Sequence, residues 1–273
     1  MEVKVNNIIS YMEELAPVSM AEEWDNSGFL IGNRDGFTDA IVLSLDFNEA
    51  SIEKAIKVGA KLIITHHPVF LQPLKSINTD DALGRRIIRA IENGISVYSA
   101  HTNLDYAKGG TNDELFRILE LTNKIGFVPS AKNPDIAMGR IGNLPYEMSL
   151  EDFSAYIGQK LETNLIRYTG DGSKIIRKIA LCTGAGAGNV FFYTAIEKGC
   201  DAYLTSDIKY HQALDALDMG LPLIDATHYA TEVIVSKSLK KYLEGMFLKD
   251  NIDLKIYELE ENLQPFKISR QGG

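Results

Sequence analysis

The chain has 273 residues, 45% of them hydrophobic, with 28 Lys and Arg against 37 Asp and Glu and a formal net charge of −9 at pH 7. These values exclude a disordered or low-complexity chain. They also argue against a general phosphate-backbone binder, which needs a basic face. At about 150 residues per domain the length suggests two domains.

The N-terminal stretch Met1-Glu2-Val3-Lys4-Val5-Asn6-Asn7 lacks the apolar core of a signal peptide, and no run approaches the ~18 apolar residues of a membrane span. Two cysteines, Cys182 and Cys200, are too few for a disulfide framework or a zinc ribbon. A cytoplasmic chain in a reduced setting, with no membrane and no nucleic-acid partner, is expected.

Short β-branched runs alternate with longer amphipathic ones throughout, the pattern of an α/β layer fold with a largely parallel sheet. Strands are predicted at 40–46, 61–65, 95–100, 137–144, 164–169, 176–183, 201–205, 221–226 and 252–258. Helices are predicted at 48–59, 80–93, 110–122, 149–161, 188–199, 207–219 and 229–247. Ser149, three residues before Asp152, reads as a helix N-cap. The expected division is 1–127 plus 228–273 for the first domain and 128–227 for the second.

The halves repeat each other. Ala55-Ile56-Lys57-Val58-Gly59-Ala60-Lys61-Leu62-Ile63-Ile64-Thr65 aligns with the segment from Ala195 to Thr205, 140 positions later. Gly94 to Ala100 then matches Gly220 to Ala226 in the same order. Each of these second strands is followed by a His and, four positions on, an acid: His101 with Asp105 and His228 with Glu232. One helix-Gly-strand unit resembles any other, but two matches in order with the same tail read as a duplication.

In parallel α/β sheets ligands bind beyond the carboxyl ends of the strands. All five histidines (His66, His67, His101, His211, His228) fall in or beside predicted strand ends. His66-His67-Pro68 leaves one such end, and Pro68 biases His67 toward an extended backbone. A lone histidine is most often a structural or surface residue, yet five at corresponding strand ends suggest a nitrogen and oxygen metal site. Zn, Fe, Mn, Ni and Co all suit it. Five ligands, His66, His67, Asp105, His228 and Glu232, cannot saturate two ions, so open positions remain for water or substrate, as in a catalytic site. Two divalent ions against two carboxylates would attract a small anionic substrate.

Glu23-Trp24-Asp25-Asn26-Ser27-Gly28, Thr65-His66-His67-Pro68, His101 to Asp105, Thr205 to His211 and His228 to Glu232, taken as an ordered set, resemble the dinuclear metal-binding family called GTP cyclohydrolase 1 type 2, or Nif3-like. The resemblance spans nearly the whole chain. It implies a cytoplasmic, toroidal homohexamer of two similar α/β domains with a metal site in the cleft between them. It also implies His66, His67, Asp105, His228 and Glu232 as ligands, Glu232 as the bridge, and His101 beside the metals as ligand or proton shuttle. Some members carry an extra domain of about a hundred residues between the halves, for which this chain is too short.

The glycine loop Thr183-Gly184-Ala185-Gly186-Ala187-Gly188-Asn189 is a weak phosphate cradle, because Asn189 stands at the third glycine position; a close-packed turn is favoured, with Gly184 and Gly186 kept as substrate-binding candidates. Asp207 and His211 are candidate acid and base groups, the alternative being a solvated helix face. Lys209, Arg140 and Lys108 are the candidate anion contacts. Trp24, the only Trp, reads as core or interface packing rather than a substrate platform, and Asp25 to Gly28 as a turn. The expected function is hydrolysis by a metal-activated water, with His101 or His211 moving protons. By family resemblance the substrate is GTP, opened at the imidazole ring with release of formate. The alternatives are a hydrolase for another substrate such as a phosphoester, and a non-enzymatic metal-binding or interaction protein.

Overall fold

The computed structural model describes residues 2–259 and 262–269. The remaining residues of the expected first domain, 1, 260–261 and 270–273, lie outside the described ones. The chain begins with β1 (Val3–Lys4), α1 (Val5–Leu15), β2 (Gly28–Ile31), β3 (Phe37–Thr38), β4 (Ala40–Ser44) and α2 (Glu49–Val58). Next come β5 (Leu62–Thr65), α3 (Ala82–Glu92), β6 (Ser96–Ser99) and α4 (Thr102–Tyr106). It continues through α5 (Thr111–Ile118), β7 (Thr122–Pro129), β8 (Ala137–Ser149), α6 (Leu150–Lys160), β9 (Arg167–Tyr168) and β10 (Ile175–Leu181). The last elements are α7 (Asn189–Glu197), β11 (Ala202–Thr205), α8 (Tyr210–Asp218), β12 (Leu223–Asp225), α9 (His228–Glu232), α10 (Val235–Lys249) and β13 (Lys255–Glu258).

Two compact α/β units emerge. One runs to Gly110 and resumes at Val235; the other takes Thr111–Ile234 and the described tail, 262–269. The expected bounds at 127/128 and 227/228 fall elsewhere because β7 pairs with β8 and α9 packs on α5, which keeps both elements in the second unit.

The first unit holds a five-stranded sheet in the order β13-β4-β5-β6-β2, parallel except for the antiparallel edge strand β2. Alternation along the strands sends side chains to two faces. Ile41, Leu43, Leu62 and Ile64 pack on α1 and α10 through Ile8, Met12, Leu239 and Leu243. Val42, Ile63 and Val97 pack on α2 and α3 through Ile52, Ala55, Ile87 and Ala90.

The second unit holds a six-stranded sheet, β7-β8-β10-β11-β12-β9, whose β10, β11 and β12 are parallel. Ile179, Leu181 and Leu204 face α5 and α6, while Ala180, Tyr203 and Leu223 face α7 and α8. The sequence repeat is thus the pair β5-β6 in one sheet and β11-β12 in the other. Each of these four strands follows a left-handed glycine, at Gly59, Gly94, Gly199 and Gly220, that ends the preceding helix.

Three expectations are revised. The helix predicted at 110–122 stops at Ile118, because Thr122 opens the eight-residue β7. The helix predicted at 229–247 is two, α9 and α10, divided where the units divide. Helix α1 was not predicted, although Val5, Ile8, Ile9 and Met12 follow helical spacing and are buried. Ser149 caps α6 as expected, its hydroxyl accepting from the Asp152 N–H at 3.0 Å. Among the described residues no helix is long and apolar enough to cross a membrane.

Phe153 is fully buried in the core under α6. Phe153→Ala should cost about 3–5 kcal/mol, read as a shifted urea midpoint by circular dichroism. A loss below about 1 kcal/mol would show that this core is not close-packed.

Candidate metal centre

In the first unit, His66 and His67 continue the path of β5 past its last residue. Their N–H groups donate to Ser44 O at 3.3 Å and Leu45 O at 2.9 Å, so the exit is tied to that of β4. The Thr65 hydroxyl donates to His67 O at 2.8 Å and bonds Ser99 Oγ at 2.7 Å. His101 precedes α4, which carries Asp105. Ring centroids are 5.3 Å apart for His66–His67, 5.2 Å for His66–His101 and 5.8 Å for His67–His101. One ligand atom from each lies within 4.8 Å of the others, a group that could hold a metal ion.

Each imidazole is oriented through Nδ1. His66 Nδ1 lies 2.8 Å from Ala100 O, His67 Nδ1 lies 2.7 Å from Asp46 Oδ1, and His101 Nδ1 lies 2.8 Å from Asp25 Oδ1. Carbonyl and carboxylate oxygens only accept, so Nδ1 carries the proton and a neutral ring presents its Nε2 lone pair. His66 Nε2 lies 3.7 Å from Asp105 Oδ1. A lone pair facing a carboxylate in a buried position fits a cation.

Asp25 shows how firmly one of these acceptors is held. Burial pushes its carboxyl pKa up, but hydrogen bonds from His101, Thr102 and Ser27 outweigh this and hold it well below the usual carboxylate range. Asp25 therefore stays ionised beside His101. Neither Asp25 nor Asp46 was predicted. The signal for Asp46 is register: Ser44 pairs with Thr65, so the residues two beyond each, Asp46 and His67, leave the sheet side by side.

The second unit carries the same device on α9. His228 Nδ1 lies 2.8 Å from Asp207 Oδ2, and His228 Nε2 lies 2.9 Å from Glu232 Oε2. A neutral imidazole has one N–H, so contact with carboxylates through both nitrogens calls for a proton or a metal cation on the second. Two non-glycine residues hold left-handed backbone here, Asp207 at φ 56° and Thr227 at φ 64°. Thr227 is pinned by its N–H to Asp225 Oδ1 at 3.0 Å and by Gln264 Nε2, which donates to its hydroxyl at 3.1 Å.

The glycine loop shapes this site. A Cβ on Gly184 would stand 2.1 Å from Glu232 Oε1, and one on Gly186 would stand 2.6 Å from Tyr203 Oη. Their N–H groups donate to Thr231 Oγ1 at 3.1 Å and Thr205 Oγ1 at 3.0 Å. This corrects the substrate-binding expectation for Gly184 and Gly186, because those donors already have protein acceptors and the space is filled. Arg140 is corrected likewise: it is buried against Asp113 and donates to Ala137 O at 2.7 Å. Lys209, Lys108 and His211 are exposed, and His211 lies edge-on to Tyr210 at 5.3 Å. Asp207 orients His228 instead of standing as an isolated acid. Trp24 is 57% exposed, so it is not core packing.

Each of the two α/β units thus places imidazole and carboxylate at the exits of parallel strands, and the histidines of the first form a group that could hold a metal ion. Residues 3–265 match the Duf34/NIF3 (NGG1p interacting factor 3) family, and the chain belongs to that family. It is 36% identical, over 98% of its length and 99% of the relative's, to a GTP cyclohydrolase 1 type 2 homolog of Clostridium acetobutylicum. Its fold matches a Bacillus cereus protein related to NIF3 with a TM-score of 0.92 at 25% identity, covering 98% of this chain and 99% of that one. Reduced HcgD from Methanocaldococcus jannaschii matches at 0.77 and 32% identity, covering 96% and 99%.

The Asp46 side chain is 46% exposed and bonds His67. Asp46→Ala should therefore weaken metal binding roughly 10–100-fold with little change in melting temperature; unchanged affinity in a chelator competition would remove its role. Gly184→Ala should displace Glu232 and lower metal content in elemental analysis. Gly188→Ala should not, since nothing lies within 4 Å of its added Cβ.

Proposed function

We propose that the protein is a dinuclear metal-dependent hydrolase in which His66, His67, Asp105, His228 and Glu232 hold two divalent transition-metal ions. The observation that supports this most is the set of three imidazoles whose ligand atoms fall within 4.8 Å, each oriented from behind through Nδ1. Nitrogen and oxygen donors suit Zn, Fe, Mn, Ni or Co. When bound, such ions supply Lewis acidity and activate water at neutral pH.

The substrate we propose is GTP, on the strength of relatives named GTP cyclohydrolase 1 type 2 homolog. Water adds at C8 of the guanine, the imidazole ring opens, and a second water releases C8 as formate. His101 is the proton handler of the first unit. Its side chain is 16% exposed where that of His66 is 0%, so water and substrate reach it. As it takes a proton at Nε2, the ionised Asp25 on Nδ1 compensates the charge. Glu232 is held in place by the missing Cβ of Gly184 and stays close to His228. A toroidal homohexamer belongs to the same reading and is checked by light scattering.

The test is formate release from GTP by metal-loaded protein, with a phosphoester panel alongside. Glu232→Ala and His101→Ala should each lower turnover at least about 100-fold. GTP turnover unchanged in Glu232→Ala would remove the dinuclear mechanism. Phosphoester turnover without formate release would keep the metals and replace the substrate.

A further inference from the structure

We propose that Trp24 is the stacking wall of a binding site for a planar heteroaromatic ring, beside the His66, His67 and His101 cluster. The indole is 57% exposed, yet the chain around it is firmly tied. The Asp25 side chain, 0% exposed, accepts from His101 Nδ1 at 2.8 Å, from the Thr102 hydroxyl at 2.5 Å and from Ser27 Oγ at 2.8 Å. Asn26 Nδ2 donates to Phe70 O at 2.8 Å, joining this loop to the one that follows the histidine pair. Glu22 N donates to Thr102 Oγ1 at 3.0 Å. Polar bonds therefore order the loop, and burial of the indole does not. A large aromatic left in water on a pinned loop is preorganised for a ligand.

Its position says where that ligand goes. The indole meets His101 edge to face at 5.9 Å, and His101 lies 5.2 Å from His66 and 5.8 Å from His67. A ring resting on Trp24 is thus one side chain from the candidate metal ligands. The segment Glu22 to Gly28 carries three acids and no Lys or Arg, so it suits the ring end of a ligand and repels a phosphate end. Aromatic side chains stack on nucleobases without needing a particular base, because every base offers a π-face. The inference deepens the proposed hydrolysis and rests on it for the identity of the ring, but not for the stacking.

Trp24 is the only tryptophan, so its emission reports this position alone. The metal-loaded full chain is titrated with guanosine, GTP and tripolyphosphate. Guanosine and GTP should quench Trp24 emission, and tripolyphosphate should not. By calorimetry Trp24→Ala should bind GTP roughly tenfold more weakly, and Trp24→Phe should recover most of the loss, both with the metal content of the wild type. Quenching by tripolyphosphate but not guanosine, or equal GTP affinity in Trp24→Ala, would overturn the proposal. Metal loss in Trp24→Ala would make the indole a prop for His101 and overturn it as well. Quenching by guanosine without formate release from GTP would retain the wall and reject the ring-opening reaction. Formate release with an unchanged KM in Trp24→Ala would do the reverse.

Discussion

Every candidate ligand histidine is held by an acceptor on Nδ1: Ala100 O for His66, Asp46 for His67, Asp25 for His101 and Asp207 for His228. That constraint selects the tautomer and leaves Nε2 as the atom that meets a ligand. It also fixes ring orientation before any ion arrives, which reduces the ordering needed on binding. Around His228 and Glu232 the polypeptide accepts left-handed backbone at Asp207 and Thr227 to keep the pair in place.

Strand register supplies the acceptors. In the first unit, Asp46 and His67 leave neighbouring parallel strands side by side. In the second, Asp207 stands two residues past β11 and His228 three past β12, again neighbours in a parallel sheet. Each unit therefore builds an acid-histidine pair from adjacent strand exits, with the acid on the earlier strand. The two pairs are not equivalent in the repeat, which aligns β5 with β11 and so His67 with Asp207; the first unit takes its acid from β4 instead.

The parallel strands and the helices between them were legible because the buried, mostly apolar runs ending at Thr65 and Thr205 are short and sharply bounded. The candidate ligand histidines were legible for the same reason, since they stand at or just past the ends of such runs. Asp25 looked like an ordinary turn residue, and only folding places it beside His101, 76 positions away. The close-packed turn favoured for the glycine loop was legible, but sequence alone does not show that Glu232 occupies the space of the missing Cβ of Gly184. The break between α9 and α10 carries no Gly or Pro, so local propensity gave no sign of it. For Trp24 the core half of the expectation fails, since the indole is exposed and hydrogen bonds from its neighbours hold the loop.

The most direct test is a crystal structure of the metal-loaded protein with anomalous data collected at the absorption edge of the bound metal. Anomalous density should appear coordinated by Nε2 of His66 and His67, with Nδ1 still on Ala100 O and Asp46. Metal bound through Nδ1, or no anomalous density near these rings in protein supplied with metal, would contradict it.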